Sequence, residues 1–200
     1  MKKTFLKYSK DILNKDILLS HDDKHQVMME WEEPYMKKCI EKLQPYGDVL
    51  EIGFGMGYSA NEIQKYNITS HTIIECDEQV LKRLKKWKEG KDNKINILKG
   101  RWQDLLNNLP NKFDCVFFDD YPDINDLNYK DRFEYFFKKI IKNNMKDKIT
   151  FCWFLDREIK WVVDNNMEWK CYKFYINIPE NCTYIKNKDF LYIPILTYHK

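Results

Sequence analysis

A glycine-rich turn between an apolar strand and a helix is the feature that most constrains the fold of this chain. The strand-like segment Val49–Ile52, apolar apart from Glu51, is followed by Gly53, Gly55 and Gly57, and then by the helical pattern SANEIQKY. Glycines let a backbone turn sharply and approach a ligand closely, and the N–H groups at a helix start attract an anionic group. The segment therefore predicts a strand–turn–helix unit that binds a ligand, with a purely structural turn as the alternative.

Strands and helices alternate along the rest of the chain. We predict a helix from Pro34 to about Leu43, then strands at DVLEIGF, HTIIEC, INILKG, FDCVFFDD and KITFCWF. The helices predicted between them are SANEIQKY, VLKRLKKWK, DLLNNL and a last one from about Lys130 to Asn144. This alternation is typical of a parallel sheet in an α/β fold.

The C-terminal quarter has a different pattern. A short helix is predicted at REIKWVVDN, followed by two strands, WKCYKFYINI and FLYIPILTYH. Because no helix separates these strands, we expect an antiparallel hairpin at one edge of the sheet. The prediction is a Rossmann-like α/β fold with a seven-stranded, mostly parallel sheet.

The spacing of the glycines indicates which class of cofactor the turn binds. Tyr58 stands where a dinucleotide fingerprint places its third glycine, and the GxGxG form is common in S-adenosylmethionine sites. Glu75 ends the second strand, where an acid can accept hydrogen bonds from both ribose hydroxyls, although a solvated strand-end acid is the alternative. After the third strand, Trp102 could form an aromatic wall, or pack in the core, and Gln103 or Asp104 could meet an adenine edge. Three strand ends therefore predict one cofactor site.

Composition limits the class of protein. At 200 residues the chain fits one domain, and its mean hydropathy of −0.68 without a long apolar run argues against a membrane span. The start MKKTFLKYSK lacks the apolar region of a secretory signal, so we expect a cytoplasmic protein. A net charge of only +3 and a predominance of lysine over arginine argue against a nucleic-acid binder. Six cysteines without metal-ligand spacing predict reduced, mostly buried thiols.

Several motifs together resemble one family of methyltransferases. VMMEWEEPYM, VLEIGFGMG, IIEC, GRWQD, FFDDYP and PENCTY with FLYIPILTYH look like guanidinoacetate N-methyltransferase, and VMMEWE and GRWQD are also similar to fungal arginine delta-N-methyltransferase. The resemblance runs from about Val27 to the C-terminus. It implies a class I S-adenosylmethionine-dependent methyltransferase, monomeric or homodimeric, that releases S-adenosylhomocysteine. Residues 1–45 would cap the substrate, 46–150 bind the cofactor, and 151–200 supply the C-terminal strands.

The resemblance also implies roles for individual residues. Glu32 matches the guanidine-binding glutamate and Asp119 the catalytic aspartate, although Asp120 is an alternative because adjacent strand positions point oppositely. A guanidinium holds its proton with a pKa above ~12, so a base must remove that proton during methyl transfer, and no metal is needed. The implied substrate-binding residues are Trp31, Glu32, Asp119, Asp120 and Tyr121. The implied cofactor-binding residues are Glu51, Gly53, Gly55, Gly57, Glu75, Cys76, Arg101, Trp102, Gln103 and Asp119.

Two departures from the family pattern concern the acceptor. The stretch between KITFCWF and PENC is short, and Asp120 stands where the family has threonine. We expect the charge of Asp120 to lie near the carboxylate end of the substrate and to disfavour a second negative charge. Guanidinoacetate is then the leading acceptor, an arginine side chain or another guanidine is the alternative, and an inactive cofactor-binding module is an alternative of another class.

Overall fold

The computed structural model describes residues 6–91, 94–121, 129–159, 161 and 163–200. The strands in this part are β1 (Lys7–Lys10), β2 (Asp16–Leu19), β3 (Gln26–Met29), β4 (Gly47–Ile52), β5 (Ile68–Glu75), β6 (Ile95–Lys99), β7 (Phe113–Phe118), β8 (Met145–Trp153), β9 (Met167–Tyr175) and β10 (Phe190–His199). The α-helices are α1 (Glu33–Leu43), α2 (Tyr58–Ile63), α3 (Glu78–Lys88), α4 (Trp102–Leu105) and α5 (Tyr129–Asn143).

Seven of the strands form the central sheet, in the order β6-β5-β4-β7-β8-β10-β9. The strands from β6 to β8 pair in parallel, whereas β10 runs antiparallel to both β8 and β9. The predicted mostly parallel sheet with an antiparallel C-terminal hairpin at its edge is therefore confirmed.

The central strands of the sheet, such as β4 and β7, are buried on both faces, as expected for strands covered by crossover helices, whereas the edge strand β9 is mostly exposed. Along β7, Cys115 and Phe117 belong to the cluster that contains α1, α2 and α3, while Val116 and Phe118 belong to the cluster that contains α5. This two-residue alternation explains why the last four residues of β7, from Cys115 to Phe118, are all apolar. Four of the six cysteines are buried, and Cys76 and Cys171 are exposed.

The N-terminal segment forms a small antiparallel sheet, β1-β2-β3, that the sequence analysis did not predict. Each strand has only four residues, too few for an alternating pattern to stand out. The turns between them use the left-handed residues Asn14 and Asp23, which asparagine and aspartate tolerate better than most side chains. The hydroxyl of Tyr8 donates to the carbonyl of Gly55 at 2.6 Å, so β1 lies against the glycine-rich turn.

The helix predicted at REIKWVVDN is wrong for the described residues of that stretch, which have no helical structure. Trp161 stacks on Trp169 with ring centroids 6.1 Å apart and also contacts Phe133 and Phe137 edge to face. Aromatic packing against the sheet thus replaces the local helical preference. Among the described residues, no helix is long and apolar enough to cross a membrane.

Candidate active site

The glycine-rich turn is held between the ends of β5 and β7. The N–H of Gly53 donates to the carbonyl of Ile74, and the N–H of Asp119 donates to the carbonyl of Ile52, both at 3.0 Å. Gly53 has a φ of +81°, and a Cβ at this position would lie 2.1 Å from the carbonyl oxygen of Asp119. Glycine therefore allows the end of β7 to approach the turn and fixes the backbone of Asp119 beside it.

Glu75 links the glycine-rich turn to the end of β5. Its side chain is buried and accepts hydrogen bonds from the backbone N–H groups of Phe54 (3.0 Å), Cys76 (2.7 Å) and Asp77 (2.8 Å). Burial raises the pKa of this carboxyl, while the three hydrogen bonds oppose the rise. A carboxylate has about four acceptor positions, so one remains for a ribose hydroxyl, which stays a prediction.

Glu51 lies beneath the turn in a buried polar chain. It accepts a hydrogen bond from the hydroxyl of Ser59, and its other oxygen lies 2.9 Å from Nε2 of His71. Nδ1 of His71 is in turn 3.0 Å from the side-chain nitrogen of Gln64. Glu51 thus joins the start of α2 to β5, a supporting position, and its direct contact with a cofactor stays a prediction. No sequence motif singles out His71, which lies within β5.

The GRWQD segment is placed as predicted after β6, and Trp102 has the second of its two expected environments, the core. Its ring is 5% exposed and meets Phe118 and Phe136 edge to face, with centroids 5.6 and 5.5 Å apart. This placement favours core packing over the predicted aromatic wall. Oε1 of Gln103 is buried and has no hydrogen-bond partner within the described ranges. Such an unsatisfied acceptor suits a ligand donor, such as an adenine amino group.

Asp120 is neutralised by an arginine that the sequence analysis did not connect with it. One oxygen of Asp120 accepts a hydrogen bond from Nε1 of Trp102 at 2.6 Å and forms an ion pair with Arg132 of α5. Both side chains of the ion pair are buried, at 9% and 3% exposed. This corrects the expectation that Asp120 presents an uncompensated charge to the acceptor. The pairing was not visible in the sequence because the two residues lie 12 positions apart and no local motif joins them.

Glu32 is positioned by the start of α1. A short 3-10 turn, Glu30–Glu32, precedes the helix, and Pro34 occupies its first turn as predicted. Oε1 of Glu32 accepts hydrogen bonds from the N–H of Met29 at 2.8 Å and from the hydroxyl of Tyr184 at 2.5 Å. Burial raises the pKa of Glu32 to about 7, despite these two donors.

Asp119 completes a pair of acids. Burial raises its pKa well above the ordinary range, and the neighbouring charge of Glu32 is the next largest cause. Neither Glu32 nor Asp119 forms an ion pair within the part of the chain that the structure describes. The charge of Glu32 therefore acts on Asp119, and a cation near both acids would lower the pKa of Asp119 again.

An aromatic side chain that the sequence analysis did not place in the site lies beside this pair. Tyr184 comes from the segment 176–189 between β9 and β10, and its ring stacks on Trp31 with centroids 6.2 Å apart. The segment PENCTY carried part of the family resemblance but no assigned role. Tyr121 is 46% exposed at the end of a described range, and Pro122 of the FFDDYP motif lies outside the described residues.

Solved structures confirm the fold. Spermidine synthase from Thermotoga maritima superposes with a TM-score of 0.59 at 14% identity, covering 98% of this chain and 73% of that one. The O-methyltransferase TomG from Streptomyces achromogenes, solved with S-adenosylmethionine, has a TM-score of 0.57 at 15% identity and covers 84% of this chain and 80% of its own. The fold is that of class I S-adenosylmethionine-dependent methyltransferases.

The chain is also similar in sequence to proteins that are named as arginine methyltransferases. Protein arginine N-methyltransferase 2 of Saccharomyces cerevisiae is 41% identical over 128 residues, 56% of this chain and 31% of the yeast protein. The Aspergillus oryzae protein of the same name is 32% identical over 154 residues, 74% of this chain and 34% of its own length. This chain thus spans about a third of the length of these relatives.

The model of the guanidinoacetate N-methyltransferase family matches residues 11–156, which include the glycine-rich turn and both site acids. That range covers most of the chain and confirms the resemblance that the motifs indicated. The chain belongs to the guanidinoacetate N-methyltransferase family, a family of S-adenosylmethionine-dependent enzymes.

Proposed function

We propose that this protein transfers a methyl group from S-adenosylmethionine to a guanidino nitrogen, with guanidinoacetate as the leading acceptor. The observation that carries the proposal is the pair of acids beside the glycine-rich turn, Glu32, which is buried, and Asp119, which is partly buried. Withdrawing two neighbouring carboxylates from water is costly unless a cation is bound between them. A planar guanidinium has N–H groups on several sides and can donate to both acids at once.

The cofactor would be held by the turn at Gly53, Gly55 and Gly57, by Glu75, and by the buried acceptor of Gln103. The group supplies an activated methyl when it is bound. The fit rests on two observations: the cradle at Gly53 leaves no room for a side chain, and Oε1 of Gln103 is buried and lacks a partner among the described residues.

The two acids would divide the work on the acceptor. Glu32 binds and orients the guanidinium, while Asp119 accepts a proton from the attacking nitrogen as its N–C bond forms and the C–S bond breaks. The raised pKa of each acid falls again when the cation enters, because an opposite charge favours the ionised form. Acceptor binding would therefore prepare Asp119 as a base.

The candidate substrates differ in the part of the molecule beyond the guanidinium. Since Arg132 neutralises Asp120, the structure removes the charge that was expected to oppose the carboxylate of guanidinoacetate. The names of the curated relatives favour a second candidate, an arginine side chain. An inactive cofactor-binding module would need neither Glu32 nor Asp119.

A screen with isotope-labelled methyl donor tests the proposal. Guanidinoacetate, free arginine, agmatine and arginine-containing peptides serve as acceptors, and Asp119→Asn is the control for background labelling. We expect transfer to at least one guanidine, with guanidinoacetate preferred. Labelling of no guanidine by a protein that binds S-adenosylhomocysteine would contradict the proposed reaction.

A further inference from the structure

The two oxygens of Glu32 have different surroundings. Oε1 receives both protein donors, the N–H of Met29 at 2.8 Å and the hydroxyl of Tyr184 at 2.5 Å. Oε2 has no hydrogen-bond partner within the described ranges. Because an ionised carboxylate accepts at both oxygens, this arrangement fixes the carboxyl through one oxygen and leaves the other for a ligand.

Tyr184 is itself held in place from two sides. Its ring stacks on Trp31 at an interplanar angle of 27°, and its segment is hydrogen-bonded to the small N-terminal sheet. Gln26 of β3 donates to the carbonyl of Asn181 at 2.8 Å and accepts from the N–H of Thr183 at 2.6 Å. The hydroxyl therefore meets Glu32 from a segment anchored at residues immediately before it.

We propose that Tyr184 is a positioning residue for the acceptor: its hydroxyl holds Glu32 so that Oε2 faces the guanidinium, and its ring forms, with Trp31, the aromatic side of the guanidinium slot. This inference rests on the proposed function and adds a residue to it. Guanidinium planes stack well on aromatic rings, so the Trp31–Tyr184 pair would favour a flat cation over a compact ammonium of equal charge.

The charges around Glu32 give the proposal a measurable consequence. Among the described residues, the charge of Glu32 raises the pKa values of three groups. These are Asp119 at the end of β7, and Tyr184 and Cys182 of the 176–189 segment. The hydrogen bonds from Tyr184 and Met29 lower the pKa of Glu32 against the larger effect of burial. Loss of the Tyr184 hydroxyl should raise that pKa, so that less Glu32 is ionised at pH 7.

The test compares Tyr184→Phe, which keeps the ring, with Tyr175→Phe, which removes an exposed hydroxyl of the same type on β9. In Tyr184→Phe we expect KM for the guanidine to rise about tenfold at pH 7, from the loss of a hydrogen bond to a charged group. The acid limb of the pH profile of kcat/KM should move to higher pH in Tyr184→Phe, while its affinity for S-adenosylhomocysteine stays unchanged. In Tyr175→Phe, KM for the guanidine and the pH profile should both stay as in the wild type.

A direct titration separates this inference from the proposed function. The carboxyl carbon of Glu32 can be followed by 13C NMR in glutamate-labelled protein, with Glu32→Gln providing the assignment. An upward shift of its midpoint in Tyr184→Phe supports the contact even if no guanidine is methylated. An unchanged midpoint, or an unchanged KM and pH profile in an active enzyme, would overturn the positioning role.

Discussion

At the scale of single residues, the site depends on two carboxyls whose pKa values are raised for the same reason. Burial is the largest cause for both Glu32 and Asp119, and mutual repulsion adds to it for Asp119. The free protein therefore stores an electrostatic cost that a cationic ligand can relieve. The opposite arrangement holds at Asp120, where a buried arginine already supplies the compensating charge.

The raised pKa of Glu32 predicts how stability depends on pH. Because its folded pKa of about 7 exceeds the unfolded value, its contribution to stability is complete below the unfolded pKa and is lost as pH rises through about 7. Glu32→Gln should thus raise the melting temperature at pH 8 by a few degrees and have little effect at pH 5. Thermal unfolding of ligand-free protein at both pH values measures this. A lower melting temperature of Glu32→Gln at pH 8 would show that ionised Glu32 does not destabilise the folded protein.

The ion pair at Asp120 predicts a structural effect without a change in acceptor preference. Asp120→Thr leaves Arg132 buried without its partner, which typically costs about 3–5 kcal/mol. Chemical denaturation should show this loss, whereas the ratio of kcat/KM for guanidinoacetate and agmatine should change little. If Asp120→Thr kept the wild-type stability and strongly increased kcat/KM for guanidinoacetate relative to agmatine, Asp120 would instead act on the acceptor.

At the scale of elements, the ends of β4, β5 and β7 assemble the site through the glycine-rich turn. The alternation of apolar strands and helices predicted these elements and their parallel pairing, because each pattern spans enough residues to be distinctive. The sequence could not predict β1, β2 and β3, since four-residue strands depend on partners that only the folded chain supplies. The helix predicted at REIKWVVDN was wrong for a related reason, because Trp161 packs on aromatic rings that are distant in the sequence.

Two glycines of similar backbone conformation test the close approach at the turn. Gly53 and Gly90 have φ values of +81° and +74°, but a Cβ meets the carbonyl of Asp119 at 2.1 Å in the first case and nothing within 4 Å in the second. Gly53→Ala should therefore abolish measurable binding of S-adenosylhomocysteine, while Gly90→Ala carries only the cost of its backbone conformation. Calorimetric titration measures both variants. Equal, small effects would contradict the role assigned to Gly53.

At the scale of the whole molecule, segments from opposite ends of the chain meet beside the glycine-rich turn and Glu32. The N-terminal sheet reaches the glycine-rich turn through Tyr8 and the 176–189 segment through Gln26, and that segment reaches Glu32 through Tyr184. The motifs located Glu32 and Asp119, but the placement of Tyr184 depends on contacts over 150 residues of sequence, to which a local pattern is blind.

A comparison of Asp119→Asn with wild type tests the proposed base, with kcat for the preferred guanidine and affinity for S-adenosylhomocysteine measured on the same preparations. Asparagine keeps the shape of the side chain but cannot accept the proton, so kcat should fall about 10²–10⁴-fold while cofactor affinity is preserved. An Asp119→Asn protein that methylates the guanidine at the wild-type rate would show that Asp119 is not the base.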